Sequence, residues 1–296
     1  MTTNAQPRIC DYENATYRQD FWEGGARVYE DLVERRLIAR LLPPGGRRLL
    51  ELGAGYGRLS REYRADQVVL LDYSLSQLRE ARQTLGDERF IYVAADAYHL
   101  PFQAGVFDRA TMIRVLHHFE DVPRVLNGIR RVLAPGAYFL LEYANKRHLK
   151  ALIRHALGRQ AYDPNDPAPI EFVEMNFNFH PDYIAQALQN ARMATTRRLS
   201  ASYLRMGALK RALPTRLLVA LDEMAQASGW LVGPSVFALN QAQDQTPDQV
   251  QLQDEAIFAC PHTGRRLQRQ GDALVSPEGR AWPIRDGIYV FKQLDS

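Results

Sequence analysis

The run Glu51-Leu52-Gly53-Ala54-Gly55-Tyr56-Gly57 sets three glycines at alternate positions behind an acid, directly after the apolar stretch Arg48-Leu49-Leu50. Glycine adopts positive φ freely and carries no Cβ, so such a loop turns sharply and lets a ligand approach the main chain. The stretch from Arg48 to Leu52 reads as a strand, and the residues after the glycines read as the start of a helix. Strand, glycine loop and helix in that order belong to a parallel α/β sheet that binds cofactors at the ends of its strands. A dinucleotide fold needs its third glycine one residue later than Gly57, and the chain has no catalytic Tyr-x-x-x-Lys pair. A nicotinamide-dependent oxidoreductase therefore lacks support.

The alternation of short apolar runs with amphipathic stretches continues through the first half of the chain. A helix is expected from Val28 to Leu42, stopped by Pro43-Pro44-Gly45-Gly46. Further strands are expected at Val68–Asp72, Phe90–Ala95, Phe107–Ile113 and, after the Pro135-Gly136 turn, Ala137–Tyr143. Val122, Val125, Leu126, Ile129 and Leu133 mark a helix with one apolar face. Helices at Pro181–Arg192 and Thr215–Ala227 and strands at Thr195–Tyr203 and Ser235–Leu239 would complete a doubly wound, mostly parallel sheet of seven strands, the last antiparallel. Residues 241–254, rich in Gln and Asp, read as a linker between a domain at 1–240 and a small β-rich unit at 255–296.

The glycine pattern led by Glu51 resembles the first motif of class I S-adenosylmethionine-dependent methyltransferases, and the resemblance extends from about residue 25 to 240. It implies S-adenosylmethionine as cofactor, with Glu51, Gly53, Ala54, Gly55 and Gly57 holding its amino acid portion. Asp72, with Tyr73 beside it, falls where the family takes both ribose hydroxyls. Asp96 and Ala97 match the position that grips the adenine, and backbone near Arg114 would face the methionine end. Four elements in the correct order also speak against a regulatory relative that binds the cofactor without turnover. His117 and His118, just beyond the fourth strand, are the candidate catalytic bases, with His99 and His180 as further options; each can equally be a packing or capping residue. Acceptor specificity is expected from the N-terminal segment with Tyr12, Tyr17, Phe21 and Trp22, and from the segment between Tyr143 and His180, where aromatic residues can equally line a pocket lid or pack a helix onto the core.

A net charge of +3 makes no case for nucleic acid, although basic residues crowd at Lys146–Arg159 and Arg192–Arg211. A small-molecule acceptor is the first expectation, with RNA or a protein side chain as the alternative. Neither a signal segment nor an apolar run long enough to span a bilayer occurs, and two cysteines suit a reducing compartment, so a cytoplasmic protein is expected. The unit from Phe258-Ala259-Cys260-Pro261 to Pro283-Ile284-Arg285-Asp286-Gly287-Ile288 resembles the small zinc-ribbon-like activators of translation-related methyltransferases. Thr263 and Ser276 stand where zinc-binding members carry cysteine, so no metal is expected. The unit should pack on the methyltransferase domain in cis.

Overall fold

The computed structural model describes residues 7–11, 13, 22, 27–243 and 254–292. Tyr12, Tyr17, Phe21 and most of the expected linker lie outside the described residues.

Helix α1 (Val28–Leu41) precedes strand β1 (Arg48–Leu52), and β2 (Gln67–Asp72), α2 (Leu75–Leu85) and β3 (Phe90–Ala94) follow. Next come β4 (Phe107–Met112), α3 (Val122–Val132), β5 (Leu133–Ala144), α4 (Leu149–Ala156) and the hairpin β6 (Ile170–Val173) and β7 (Asn176–Asn178). The fold continues through α5 (Pro181–Asn190), β8 (Met193–Ala201), α6 (Gly207–Ala212), α7 (Thr215–Ala227) and β9 (Ser235–Ala242). Four short strands close the chain: β10 (Gln268–Gln270), β11 (Ala273–Val275), β12 (Ala281–Arg285) and β13 (Ile288–Val290).

The main sheet runs β10-β11-β12-β13-β3-β2-β1-β4-β5-β9-β8. Strands β3, β2, β1, β4 and β5 are parallel neighbours, and β9 lies antiparallel between β5 and β8. The strand count differs from the expected seven. Eleven strands form one mixed sheet, because β13 pairs in parallel with the free edge of β3 and brings the C-terminal strands with it. Both faces are covered, so β1 and β2 send alternate side chains into two cores: Leu50, Leu52, Val69 and Leu71 to one, Leu49, Val68 and Leu70 to the other.

Two local expectations are corrected. Residues 58–66 hold a single 3₁₀ turn at Ser60–Glu62 where a helix was expected, since so short a crossover leaves no room for a helix and a return to the sheet. Strand β5 starts at Leu133, ahead of Pro135-Gly136; the pair sits within the strand at a register shift, where Gly136 takes φ 72°.

The C-terminal strands meet the rest of the chain through main chain and aromatic side chains together. The amide of Gln103 donates to Ile257 O at 2.7 Å, Ala259 N to Pro101 O at 3.0 Å and Phe291 N to Ala94 O at 2.7 Å. Phe258 is fully buried, with ring centroids 4.5 Å from Tyr289, 5.6 Å from Phe291 and 5.7 Å from Phe102. Cys260 and Ser276 serve turns: Cys260 Sγ accepts from Thr263 N at 3.4 Å and Ser276 Oγ from Arg280 N at 3.2 Å. Among the described residues no cluster of three or more metal-ligating side chains exists, and no helix is long and apolar enough to cross a membrane.

Candidate functional site

Strand order reverses between β1 and β4, and the crevice beyond the carboxyl ends of the strands at such a point is where parallel α/β sheets bind ligands. A cleft of about 1140 Å³, taken to its open mouth, lies there. The turns after β1, β2, β3 and β4 supply Gly53–Tyr56, Asp72–Tyr73, Ala95–Tyr98 and Ile113–Val115.

Each turn holds its shape for a local reason. Gly53 has φ 66°, and a Cβ there would stand 2.3 Å from Val115 Cγ2, so only glycine lets the β1 and β4 turns approach so closely. The amide of Gly55 donates to Asp72 Oδ2 at 2.7 Å, and Ser74 N donates to Asp72 Oδ1 at 2.9 Å. Asp72 thus ties the glycine loop to the start of α2. Burial pushes its carboxyl above the usual aspartate range, against the pull of those amides. Glu51 forms the floor of the cleft, taking bonds from the hydroxyls of Ser60 and Tyr63. Its carboxyl is buried, which raises its pKa to about 7.

Asp96 is fixed from two sides. Oδ1 accepts from Tyr98 N at 2.8 Å, and Oδ2 lies 2.8 Å from His99 Nδ1. Arg124 Nη2 donates to His99 Nε2 at 2.6 Å, so Nδ1 carries the proton and donates to Asp96. His99 therefore orients an acid in the cleft. Gly57 lies outside the lining; a Cβ there would meet Leu85 Cδ1 at 2.7 Å, so this glycine serves the packing of the loop on α2.

A second cavity, of about 1520 Å³ to its open mouth, adjoins the first and shares Arg114 and His118 with it. Arg114 has φ 61°, uncommon for a residue with a side chain and a form of strain concentrated at functional sites. Its amide donates to Glu142 Oε2 at 2.9 Å and its guanidinium Nε to Glu34 Oε1 at 2.5 Å. Glu34 is buried on α1, and the cations of Arg114 and Arg58 hold its carboxyl low despite the burial. Trp22 lies under both guanidiniums, 3.7 Å from that of Arg58 and 5.2 Å from that of Arg114.

His118 Nδ1 is 3.0 Å from the carbonyl of Met175, at the turn of the β6–β7 hairpin. A carbonyl only accepts, so Nδ1 carries the proton and the basic lone pair falls on Nε2. Burial lowers the pKa of His118 and, together with His118 and Arg114, that of His117 more strongly, so both rings are neutral at pH 7. His117 lines the second cavity, its ring centroid 4.0 Å from that of His118. His180 accepts from Asp182 N at 3.1 Å as the N-cap of α5 and lines neither cavity.

Residues the motifs did not single out also shape the cleft. Arg8, Ile9 and Cys10 line it, and Arg8 pairs with Glu120 and Glu171. Glu13 accepts from Leu75 N at 2.7 Å and Ser76 N at 2.9 Å at the N-terminus of α2, and Lys292 bonds Glu13 at 3.1 Å. Nothing about Glu13 in the sequence marks it as a helix cap from so far away along the chain.

Residues 50–141 match the methyltransferase domain family. The methyltransferase domain's match spans β1 to β5, the strands that frame the cleft. Among curated proteins the chain is 31% identical over 154 residues to a Vibrio parahaemolyticus ubiquinone/menaquinone biosynthesis C-methyltransferase, covering 46% of this chain and 60% of that one. It is 34% identical over 148 residues to a Geobacter sulfurreducens malonyl-[acyl-carrier protein] O-methyltransferase, covering 46% of this chain and 54% of that one. The chain thus spans less than two thirds of the length of these relatives. An S-adenosylmethionine-dependent methyltransferase from Mesorhizobium loti shares the fold, with TM-score 0.53 at 23% identity over 72% of this chain and 99% of that one.

Proposed function

We propose that the chain transfers the methyl group of S-adenosylmethionine to a small-molecule acceptor. The observation that carries this reading is the meeting of two cavities at Arg114 and His118. One has the glycine turn and acids suited to the cofactor, and the other offers a separate chamber for the acceptor.

The residues fit the cofactor by charge and hydrogen bonding. Glu51, beneath the glycine turn, answers an ammonium group; Asp72 accepts from ribose hydroxyls; Asp96, held by Tyr98 and His99, faces a base edge. When bound, S-adenosylmethionine supplies a methyl carbon already activated by its sulfonium. The protein then has to align the acceptor, exclude water and, for a hydroxyl or amine acceptor, take up a proton. His118 is the base in this reading, because Met175 fixes its tautomer and its ring borders both cavities. His117 packs against it on the acceptor side. The C-terminal strands pack in cis on the methyltransferase domain and, through Lys292 and Glu13, brace the start of α2 beside Asp72.

Titration calorimetry tests the reading. S-adenosylmethionine or S-adenosylhomocysteine should bind and raise the melting temperature, since a ligand specific for the native state stabilises it. Absence of binding by both, with binding of a nicotinamide dinucleotide, overturns it.

A further inference from the structure

Arg205 lies in the segment between β8 and α6 and lines the second cavity only. One guanidinium nitrogen donates to Ser235 Oγ at 2.8 Å, while Nε is buried with no hydrogen-bond partner. Among the described residues Arg205 makes no ion pair, in contrast to its neighbours around the cavity. Lys210 is paired with Glu30 at 2.9 Å and Arg114 with Glu34 at 2.5 Å. Arg205 thus presents a permanently charged, planar donor group whose protein partner is a neutral hydroxyl. A buried donor without a partner costs stability, and a buried cation without a counter-ion costs more. Native proteins tolerate such a group where a ligand completes it.

The surroundings add to the case. Arg114 opposes the charge of Arg205, while Glu142, Glu34 and Glu30 attract it from further away without contacting it. Burial, with a smaller contribution from the charge of Arg205, keeps His117 and His148 neutral, so neither ring adds a further positive charge to this wall. Arg27 stands at the same wall. Arg205 lines the cavity, and the planar array of N–H donors on a guanidinium matches the two oxygens of a carboxylate or phosphate.

We infer that the second cavity is built for an anionic acceptor, a small molecule whose carboxylate or phosphate group pairs with Arg205 while its reacting end lies toward His118. This deepens the methyltransferase reading and rests on it for the word acceptor; the anion site itself rests on Arg205. The charged group fixes the substrate's orientation across the cavity and explains why a cation is kept there at a cost to the empty protein.

The test uses the full chain at constant ionic strength with sodium malonate and inorganic phosphate as probes and malonamide as the neutral control. Malonate or phosphate should raise the melting temperature saturably, with a midpoint on the order of millimolar, and the tighter of the two identifies the class of anion. Malonamide should leave it unchanged. Arg205→Gln should weaken the anion at least tenfold, and Arg205→Lys, which keeps the charge but loses the fork, should recover part of the affinity. Calorimetry with S-adenosylhomocysteine on each variant checks that the fold and the first cleft are intact. Equal anion binding by wild type and Arg205→Gln, stabilisation by malonamide equal to that by malonate, or no saturable effect of either anion overturns the anion site. Failure of the wild type to bind S-adenosylhomocysteine instead overturns the methyltransferase reading and leaves the anion titration to be judged separately.

Discussion

Lowering the pH from 7.5 to 6.0 should weaken S-adenosylhomocysteine binding by about eightfold, as follows from the proposed role of Glu51 as an ionised partner of the ligand's ammonium group. The carboxyl titrates at about 7 in the empty cleft. Its ionised fraction is therefore about three quarters at pH 7.5 and about one tenth at pH 6.0, a loss of about 1.3 kcal/mol in binding. The thioether product suits the measurement better than the sulfonium cofactor, since its amine stays charged across this range. Calorimetry in buffers of different ionisation enthalpy should also register release of a fraction of a proton on binding, largest near pH 6. Glu51→Gln should bind more weakly at pH 7.5 and lose this part of the pH dependence. A wild-type affinity that changes less than twofold, or a Glu51→Gln protein with the full eightfold change, refutes the assignment. The same shift acts in the opposite sense on the empty fold. A carboxyl raised from 4.5 contributes stability that is complete below its unfolded value and is lost as the pH climbs through about 7. Ligand affinity and apo stability should thus move in opposite directions across neutrality.

Asp72→Ala should weaken the cofactor by about 1–3 kcal/mol, read by calorimetry, and lower stability as well, because the side chain also holds Gly55 N and Ser74 N. Unchanged affinity would remove Asp72 from the site. His117 and His118 are held neutral in the fold while their unfolded counterparts take protons below about 6.5, so stability present above that value falls as the pH drops. Denaturant unfolding at pH 5.5 should show a loss of up to about 1.4 kcal/mol per ring relative to pH 7.5, and the double variant His117→Gln/His118→Gln should have a shallower slope. Phe258→Ala should cost about 3–5 kcal/mol and lower the single melting transition by roughly 10 °C. A transition moved by less than about 2 °C would mean that the C-terminal strands melt apart from the domain.

The strands were legible because a parallel sheet covered on both faces leaves uninterrupted apolar runs such as Val68-Val69-Leu70-Leu71, and glycine spacing marked the loop beside them. Helix α1 was legible in extent but not in facing. Val28 is exposed, while Glu30 and Glu34 are buried against Lys210, Arg58 and Arg114. Apolar periodicity cannot anticipate carboxylates turned inward to partners from distant segments. In the cleft the motif residues converge, yet the groups that hold them in place stayed hidden. Met175 fixes His118 and Glu13 caps α2, each across a separation that no local pattern encodes. Arg205 stood in the sequence as one cation of a basic stretch; only the fold sets it apart from exposed members such as Arg197 and Arg198, as a guanidinium whose buried Nε has no hydrogen-bond partner.

The pairing of β13 with β3 also decides what the sheet shows to the outside. Without it the margin would be Phe90-Ile91-Tyr92-Val93-Ala94, a flat apolar strand with a row of unanswered amides and carbonyls, the kind of border on which other chains add strands. The C-terminal strands move that border outward to Gln268-Arg269-Gln270, three residues long, polar, charged and exposed. A strand too short and too hydrophilic to recruit a neighbour thus replaces one well suited to it. The tail therefore leaves the sheet a border less suited to strand addition than β3 would be.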